Sequence, residues 1–377
     1  MGKNTLSYVS YRRVKAEAEL AGSATHKGEQ RRREGLGLHP LVDPAGYDVI
    51  RRSISRMNPE GDYFILPRGV AMLEETRLDT TGSMGHNVEI ALEVLPKTYE
   101  LLASGPKAVL KRYDVQMITS IFGDIGDNYV LCRSQAEMDE KIAEQMTLMI
   151  PEHRGGDTPE DPQYGLFGGA YCTSADINKY ELKYYDFTVS DAPGRAKLDR
   201  GTLVRVFGDS VFEKVLENGY QIDKKILPST KEVVNDLLKQ AHAFFLQVGH
   251  DGETNSFWTS MFGNERVVIL PQTQLLPHVK AAIIGLTEGV LDLQTTESFL
   301  RTAGLNQEDA RDIVRSVSNI PIGAQKILPN FDKIPLKDAK FAKKGDLWPI
   351  GDETVIKTPS SKKKGNGTPP KKGKMWL

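Results

Sequence analysis

The side chains with the clearest capacity for chemistry lie just after a β-prone segment that ends at Asp79. The stretch "LDTTGSMG" at 78–85 supplies one carboxylate and the hydroxyls of Thr81 and Ser83, and a helical pattern follows it. Residues two positions apart in an extended turn point to the same side. The spacing therefore predicts one charged and two neutral oxygens that converge on one point, either as a helix cap or as a set of ligands.

Two later segments add oxygen atoms of the same kind. "GGDTPED" at 155–161 places the hydroxyl of Thr158 ahead of a helix, and "TVSD" ends a β-prone segment at Asp191. Ligands of open α/β sheets gather outside the carboxyl ends of the strands. Oxygen ligands without a thiolate or an imidazole suit Mg²⁺, Mn²⁺ or Ca²⁺ better than Zn²⁺ or Cu²⁺. The sequence thus indicates a site for a hard divalent cation at this edge of a sheet.

The elements that must position these side chains alternate between strand and helix patterns. Strands are predicted over 63–79, 113–133, 180–191, 243–249 and 266–271, and a Gly/Asp turn at 123–128 divides the second of them. Helices are predicted over 86–104, 134–150, 209–218, 229–241, 277–290, 295–303 and 306–318. Such alternation predicts a Rossmann-like α/β fold, in which helices cover both faces of a mostly parallel central sheet.

Changes in composition divide the chain into four parts. Residues 1–60 are rich in arginine and predict a basic, solvated arm with one short helix near 12–20. Residues 61–275 hold the α/β pattern, and residues 276–322 predict a small helical extension. Residues 323–377 end "KTPSSKKKGNGTPPKKGKMWL" and predict an irregular, lysine-rich tail.

The overall composition is that of an ordinary globular protein. The 377 residues carry a formal net charge of -1, so the bulk charge indicates no polyanionic partner, although both ends are basic. Only two cysteines occur, Cys132 and Cys172, which cannot form a disulfide framework and favour a reducing compartment. The sequence has no run of about 18 apolar residues that could span a membrane. These features predict a soluble, cytoplasmic protein.

The three oxygen-rich motifs resemble those of a known family. "DTTGS" at Asp79, Thr81 and Ser83 is similar to the motif Asp-x-Ser/Thr-x-Ser of von Willebrand factor A domains that carry a metal-ion-dependent adhesion site. The family's second element, a threonine after a glycine pair, resembles Thr158 in "GGDTPE". Its third element, an aspartate at the end of a later strand, resembles Asp191 in "TVSDAPG".

The resemblance, which covers residues 62–275, implies a metal-dependent interaction protein and not an enzyme. It implies that Mg²⁺ or Mn²⁺ binds directly to Thr81 and Ser83, while Thr158 and Asp191 bind directly or through water. An ion that two carboxylates neutralise keeps an open coordination position, which an acidic residue of a partner protein completes. Intracellular relatives work in larger assemblies or with AAA+ ATPases.

Several residue assignments stay open at this point. Asp157 is an alternative to Thr158 as the ligand from the second loop, because the insertion in this loop has no aligned counterpart. Asp186 and Asp176 lie close enough in the sequence to replace Asp191.

Other functions remain alternatives to this reading. "FGDIGDN" at 122–128 predicts a hairpin turn and not an EF-hand, because it lacks a glutamate at the twelfth position. No P-loop, nucleophile-elbow or zinc-protease motif occurs, so the known motifs do not favour an enzyme. A metallo-hydrolase without a recognised motif is the third hypothesis. The second hypothesis is a structural or nucleic-acid-associated protein that uses its basic ends, with the α/β domain as a scaffold.

Overall fold

The structure is a computed structural model that describes residues 8–46, 50–52, 71–104, 107–137, 141–153 and 159–327. A six-stranded sheet lies at its centre, and a second sheet has two short strands. In chain order the strands are β1 (Ile50–Arg52), β2 (Ala71–Asp79), β3 (Asp114–Phe122), β4 (Leu131–Arg133), β5 (Thr173–Ala175), β6 (Tyr184–Ser190), β7 (Ala241–Gln247) and β8 (Val267–Ile269).

Helices pack around this sheet. In chain order they are α1 (Tyr8–Ala21), α2 (His26–Arg33), α3 (Asn87–Val94), α4 (Lys97–Ala103), α5 (Lys141–Met146), α6 (Gln163–Tyr171), α7 (Arg200–Phe207), α8 (Val211–Glu217), α9 (Thr230–Gln240), α10 (Gly252–Phe262), α11 (Leu276–Thr287), α12 (Leu293–Thr302) and α13 (Gln307–Ser316). None of the helices within the described ranges is long and apolar enough to cross a lipid bilayer.

The central sheet has the strand order β4-β3-β2-β6-β7-β8. Every neighbouring pair is parallel except β3 and β4, which form an antiparallel pair around the turn predicted at 123–128. The predicted fold class, a mostly parallel α/β sheet flanked by helices, is therefore confirmed. Parallel pairing brings the carboxyl ends of β2, β3, β6 and β7 to one edge, where the predicted ligands follow their strands.

Some helices differ from the predicted ones for local reasons. The helix predicted over 86–104 is two helices, α3 and α4, because Pro96 lies at the junction, where its ring removes a backbone donor. Among the described residues of the segment predicted as helical over 134–150, the helix is α5, Lys141–Met146. The sequence patterns did not predict α7 or α10.

Helix α6 is the helix expected after "GGDTPED", and it contains three glycines, Gly165, Gly168 and Gly169. A Cβ atom at Gly165 or Gly169 would overlap the side chain of Arg77, and a Cβ at Gly168 would press on Phe207. The glycines therefore allow α6 to approach β2 closely. They serve a packing contact that single-sequence patterns do not show, and the cost of glycine in a helix, about 1 kcal/mol per residue, is overcome by this packing.

Both faces of β2 are covered, so all nine of its residues are buried although five of them are polar or charged. On one face, Lys280 of α11 lies 2.8 Å from the carboxylate of Glu74 and also bonds to Thr76. On the other face, which packs against α6, the buried carboxylate of Glu75 pairs with Arg77 and with Arg133. The charged residues of this strand are therefore matched by buried partners.

Helix α11 forms part of the core in the region predicted as an extension. All twelve of its residues are buried, and it contacts α3 and α4 as well as α12 and α13. The helices that follow, α12 and α13, pack on its outer side. The helical segments predicted between 277 and 318 are therefore present, and the first of them covers one face of the sheet.

The described part of the N-terminal segment is packed on the domain, where a solvated arm was predicted. It contains α1 and α2, and β1 pairs with β5 in the small sheet. Gly28 of α2 donates a backbone hydrogen bond to the carbonyl of Thr147 at 2.8 Å. A Cβ atom at Gly28 would overlap the backbone carbonyl of Met149, so this close contact requires glycine. The arginine-rich composition of the N-terminal segment did not predict this contact.

Gly28→Ala is expected to release α2 from the domain, because backbone atoms of Met149 cannot make room for the new methyl group. Trypsin should then cleave at Arg31–Arg33 markedly faster than in the wild type, while the main unfolding transition stays in place. Gly252→Ala is the matched control, since its Cβ would meet no atom within 4 Å. Equal cleavage rates for the two variants would contradict the packed arrangement.

Candidate metal centre

The loop after β2 folds around the carboxylate of Asp79, which is fully buried. Its Oδ1 accepts hydrogen bonds from the backbone N–H of Thr81 at 2.8 Å and from the Thr81 hydroxyl at 2.7 Å. Its Oδ2 accepts a hydrogen bond from Ser190 Oγ at the end of β6. Thr80 bonds to the carbonyl of Phe122 and so ties the loop to the end of β3. Three strand ends therefore meet at this carboxylate.

A series of hydroxyl contacts leads from Asp79 to Asp191. Thr81 Oγ1 lies 3.2 Å from Ser83 Oγ, and Ser83 Oγ donates a hydrogen bond of 2.9 Å to Asp191 Oδ1. Asp79 and Thr81 are buried, whereas Ser83 is exposed and Asp191 is half-buried. The structure thus brings together the side chains of the first and third motifs, and the group opens to solvent on the side of Ser83 and Asp191.

The acidic residue that reaches this edge is Asp191, which directly follows β6. Asp186 lies in the middle of β6, where both of its carboxylate oxygens accept hydrogen bonds from Arg77. The side chain of Asp176 is not among those described. The two candidates from the second loop, Asp157 and Thr158, lie outside the described residues.

Two acidic residues that were not predicted at the site, Asp124 and Glu160, lie beside it. The backbone N–H of Glu160 donates to the carbonyl of Pro193 at 2.9 Å, and its carbonyl accepts from the N–H of Arg195 at 3.1 Å. Its carboxyl group is buried and lies near Asp124 and Thr81. Glu160 is therefore held against the loop after β6 and reaches the loops after β2 and β3.

The neighbouring Asp161 fixes this segment in place. Its carboxylate accepts hydrogen bonds from the backbone N–H of Ile125 at 2.7 Å and from Nε of Arg195 at 3.2 Å. A signal for both additional acids was present in the sequence, because Asp124 follows the end of β3 and Glu160 belongs to "GGDTPED". Their contact depends on three loops from distant parts of the chain, so spacing alone did not predict it.

The electrostatics of the site disfavour negative charge on its carboxyl groups. Burial raises the pKa of Asp79 to about 7, and the charge of Asp191 adds to this rise against the hydrogen bonds that Asp79 accepts. Burial also raises the pKa of Glu160 to about 10, with further contributions from the neighbouring Asp124 and from the charge of Asp79. Burial raises the pKa of Asp191 as well. A cation among these groups would stabilise their ionised forms.

The donor atoms of this group fit a hard divalent cation. Thr81 Oγ1 and Ser83 Oγ donate their protons to carboxylates, so their lone pairs remain for a cation. Oε2 of Glu160 is buried and accepts no hydrogen bond from the residues that the structure describes. Within the described ranges, no group of three or more histidine, cysteine, aspartate or glutamate side chains could hold a metal ion. A cation here would therefore depend on the two hydroxyl oxygens, as oxygen-preferring Mg²⁺ and Mn²⁺ permit.

The two cysteines take no part in this site. Cys132 and Cys172 are both buried and unpaired with each other. Burial raises the pKa of each thiol to about 12, so neither is a thiolate at neutral pH. Both are small buried residues of the core.

Comparisons with known proteins add little to this geometry. No protein-family model matches the sequence, and no curated protein matches it. Among solved structures, the fold is similar to the crystal structure of the pilus adhesin SpaC from Lactobacillus rhamnosus GG, at 12% sequence identity and a TM-score of 0.36. The match covers 62% of this chain and 32% of the adhesin, so this chain spans about a third of that protein's length. A likeness this distant carries no argument about function.

Proposed function

We propose that this chain is a metal-dependent protein-interaction module of the von Willebrand factor A type. In this proposal Mg²⁺ or Mn²⁺ binds to Thr81, Ser83 and Asp191, and an acidic residue of a partner protein completes the coordination. The observation that carries the proposal is the contact of 2.9 Å between Ser83 Oγ and Asp191 Oδ1, which joins the loops after β2 and β6.

The position of this contact in the sheet supports the proposal. The strand order continues from β2 to β3 on one side, whereas the next parallel strand, β6, pairs with β2 on its other side. The loops after β2 and β6 therefore flank a topological switch point, where open α/β sheets bind their ligands. The predicted first and third motifs lie on these two loops.

Each residue of the proposed site has a distinct role. Asp79 supplies negative charge from the buried side and orients Thr81, to which it is bound through two hydrogen bonds. Ser83 and Asp191 stand at the side that is open to solvent, where a partner's carboxylate can approach. Thr158 joins this set through the family resemblance alone. A bound ion would supply the positive charge that attracts the partner, and this binding needs no general base.

The metal site is tested by titration with Mn²⁺ and Mg²⁺. Asp191→Asn is expected to weaken binding about ten-fold or more, because one of the charged ligands is lost. Isothermal titration calorimetry measures this change for wild type, Asp191→Asn and the control Asp209→Asn, which alters an exposed aspartate elsewhere. Absence of cation binding to the wild type, or equal weakening by the control, would overturn the proposal.

The acidic partner is tested with a simple carboxylate. Acetate is expected to displace water from Mn²⁺ bound to the protein and so to lower the proton relaxation rate of the solvent. Acetamide has nearly the same shape without the charge and should have no such effect. Equal responses to acetate and acetamide would show that the site does not select an acidic residue.

A further inference from the structure

A cleft of about 690 Å³ lies at the amino edge of the central sheet, opposite the metal centre. Its walls come from the turn that precedes β3, the loop between α11 and α12, one side of α12 and residues 325–327. Its volume falls within the range of small-molecule sites in proteins. None of its lining residues belongs to the proposed metal centre.

Close backbone packing builds two walls of this cleft. Gly285 allows Leu291 to fold back against α11, because a Cβ at this position would overlap the Leu291 side chain. Gly289 adopts φ +68° and lies against Gly323, since a Cβ at Gly289 would come within 3.2 Å of the Gly323 Cα. The N–H of Gly323 then bonds to the carbonyl of Leu286 at 2.8 Å. The segment that leads to residue 327 is therefore attached to the end of α11.

The floor of the cleft contains one carboxylate whose acceptor positions are largely satisfied. Glu288 accepts hydrogen bonds from Tyr185 at 2.7 Å, from Tyr113 at 3.3 Å and from Gln325 at 3.4 Å. Apolar side chains of Val109, Leu291 and Phe299 line the rest. The floor thus offers an apolar surface next to a single, internally bonded acid.

The rim of the cleft is positively charged. Lys107, Lys111, Arg112 and Lys326 line it, against the one carboxylate of the floor. Lys326 is paired with Glu181, and Lys107 donates a hydrogen bond of 3.1 Å to Thr302 Oγ1. Lys107 and Lys111 are exposed lysines that belong to the same short turn. Cations around a low-dielectric cleft concentrate a positive potential inside it. This potential attracts an anionic group to the place where the apolar floor begins.

We propose that this cleft binds a small organic anion, a carboxylate or phosphate ester carried on an apolar body. The apolar body lies over Phe299, Leu291 and Val109, and the anionic group meets Lys107 and Lys111. The site is independent of the divalent cation at the opposite edge. Binding of this anion is separate from the proposed binding of an acidic partner at the metal centre.

Two dyes of similar apolar shape test the proposal with the full-length protein in EDTA. Anilinonaphthalene sulfonate carries a negative charge, and phenylnaphthylamine carries none. The anionic dye is expected to bind to one site more tightly than the neutral dye. Lys107→Gln/Lys111→Gln should weaken binding of the anionic dye about five-fold and leave the neutral dye unchanged, as the loss of two exposed charge contacts predicts. Fluorescence titration measures both dissociation constants.

Lys224→Gln/Lys225→Gln is the matched control, because it removes two adjacent exposed lysines from another surface. A second variant, Ser298→Trp, places a bulky side chain on the exposed wall of the cleft without changing its charge, and should abolish binding of both dyes. Equal effects of the two double variants, or unchanged dye binding in Ser298→Trp, would overturn the proposal.

Competition then identifies the anionic group. Displacement of the anionic dye by phenyl phosphate assigns a phosphate ester to the site, and displacement by phenylpropionate assigns a carboxylate. A dye signal that neither competitor lowers would overturn the proposal.

Discussion

In EDTA, the free energy of unfolding is expected to fall as the pH rises from about 4 to about 7, because Asp79 binds its proton more tightly in the folded protein. Burial raises the pKa of Asp79 from 3.8 to about 7. Its contribution to stability is therefore fully present below the unfolded pKa and is lost as the pH passes through the folded pKa. At about 1.4 kcal/mol per pH unit, this one group accounts for a loss of about 4 kcal/mol over that window.

Asp79→Asn isolates this effect from the titration of other groups. The amide cannot ionise and still accepts a hydrogen bond from Thr81, so the variant should show a flatter dependence of stability on pH between the same limits. Urea unfolding, followed by circular dichroism at a series of pH values, measures both curves. Parallel curves for wild type and Asp79→Asn would contradict the raised pKa. The raised pKa of Glu160 predicts that the decline continues above neutral pH in both proteins.

Saturating Mg²⁺ is expected to weaken this dependence in the wild type. Metal ligands must be deprotonated, so the stabilisation that a bound cation provides increases with pH. A cation present at a hundred times its dissociation constant adds about 2.7 kcal/mol to the free energy of unfolding. The same addition should leave Asp79→Asn nearly unchanged, and an equal gain in that variant would argue against a cation at this carboxylate.

Arg77→Met is expected to lower the free energy of unfolding by about 3–5 kcal/mol, because it leaves buried carboxylates without their cation. Arg77 is fully buried, bonds to both oxygens of Asp186 and lies 3.3 Å from Glu75. Methionine keeps part of the side-chain volume that packs against α6. Urea unfolding at neutral pH measures the loss.

A second variant separates the lost charge from lost packing. Arg77→Met/Asp186→Val removes both charges of the buried pair and is expected to recover much of the stability, since apolar replacements of a buried pair are often neutral. Arg315→Met is the surface control, because the Arg315 side chain is 76% exposed, and it should change stability by less than about 0.5 kcal/mol. If the double variant is no more stable than Arg77→Met alone, lost packing and not lost charge dominates.

Local patterns in the sequence were sufficient for the elements that carry the first and third motifs. The segment ending at Asp79 is β2, the segment that ends before Asp191 is β6, and helical periodicity located α9, α11, α12 and α13. These elements bury side chains at regular intervals, and this periodicity is visible in the order of apolar and polar residues along the chain. The alternation of strands and helices likewise predicted the parallel sheet, and parallel pairing brings Asp79 and Asp191 to one edge.

The close packing of α6 on β2 and of α2 on the domain could not be predicted in the same way. In both cases the deciding contact is with a residue far along the chain. Gly169 faces Arg77, and Gly28 faces the backbone of Met149. Local propensity indicates a loop at such glycines, and only the partner reveals why a side chain is excluded.

The sequence by itself determined the class of fold, the order of its strands along the chain and the oxygen-rich loops at their ends. Only the tertiary structure decided which charged groups meet. It pairs Glu74 with Lys280 and Arg77 with Asp186, and it adds Glu160 to the candidate metal centre. The physical reason is that periodicity reports whether a residue faces an interior, whereas its partner there depends on how distant segments pack. A buried charge is stable only with such a partner, so these contacts appear only in the folded chain.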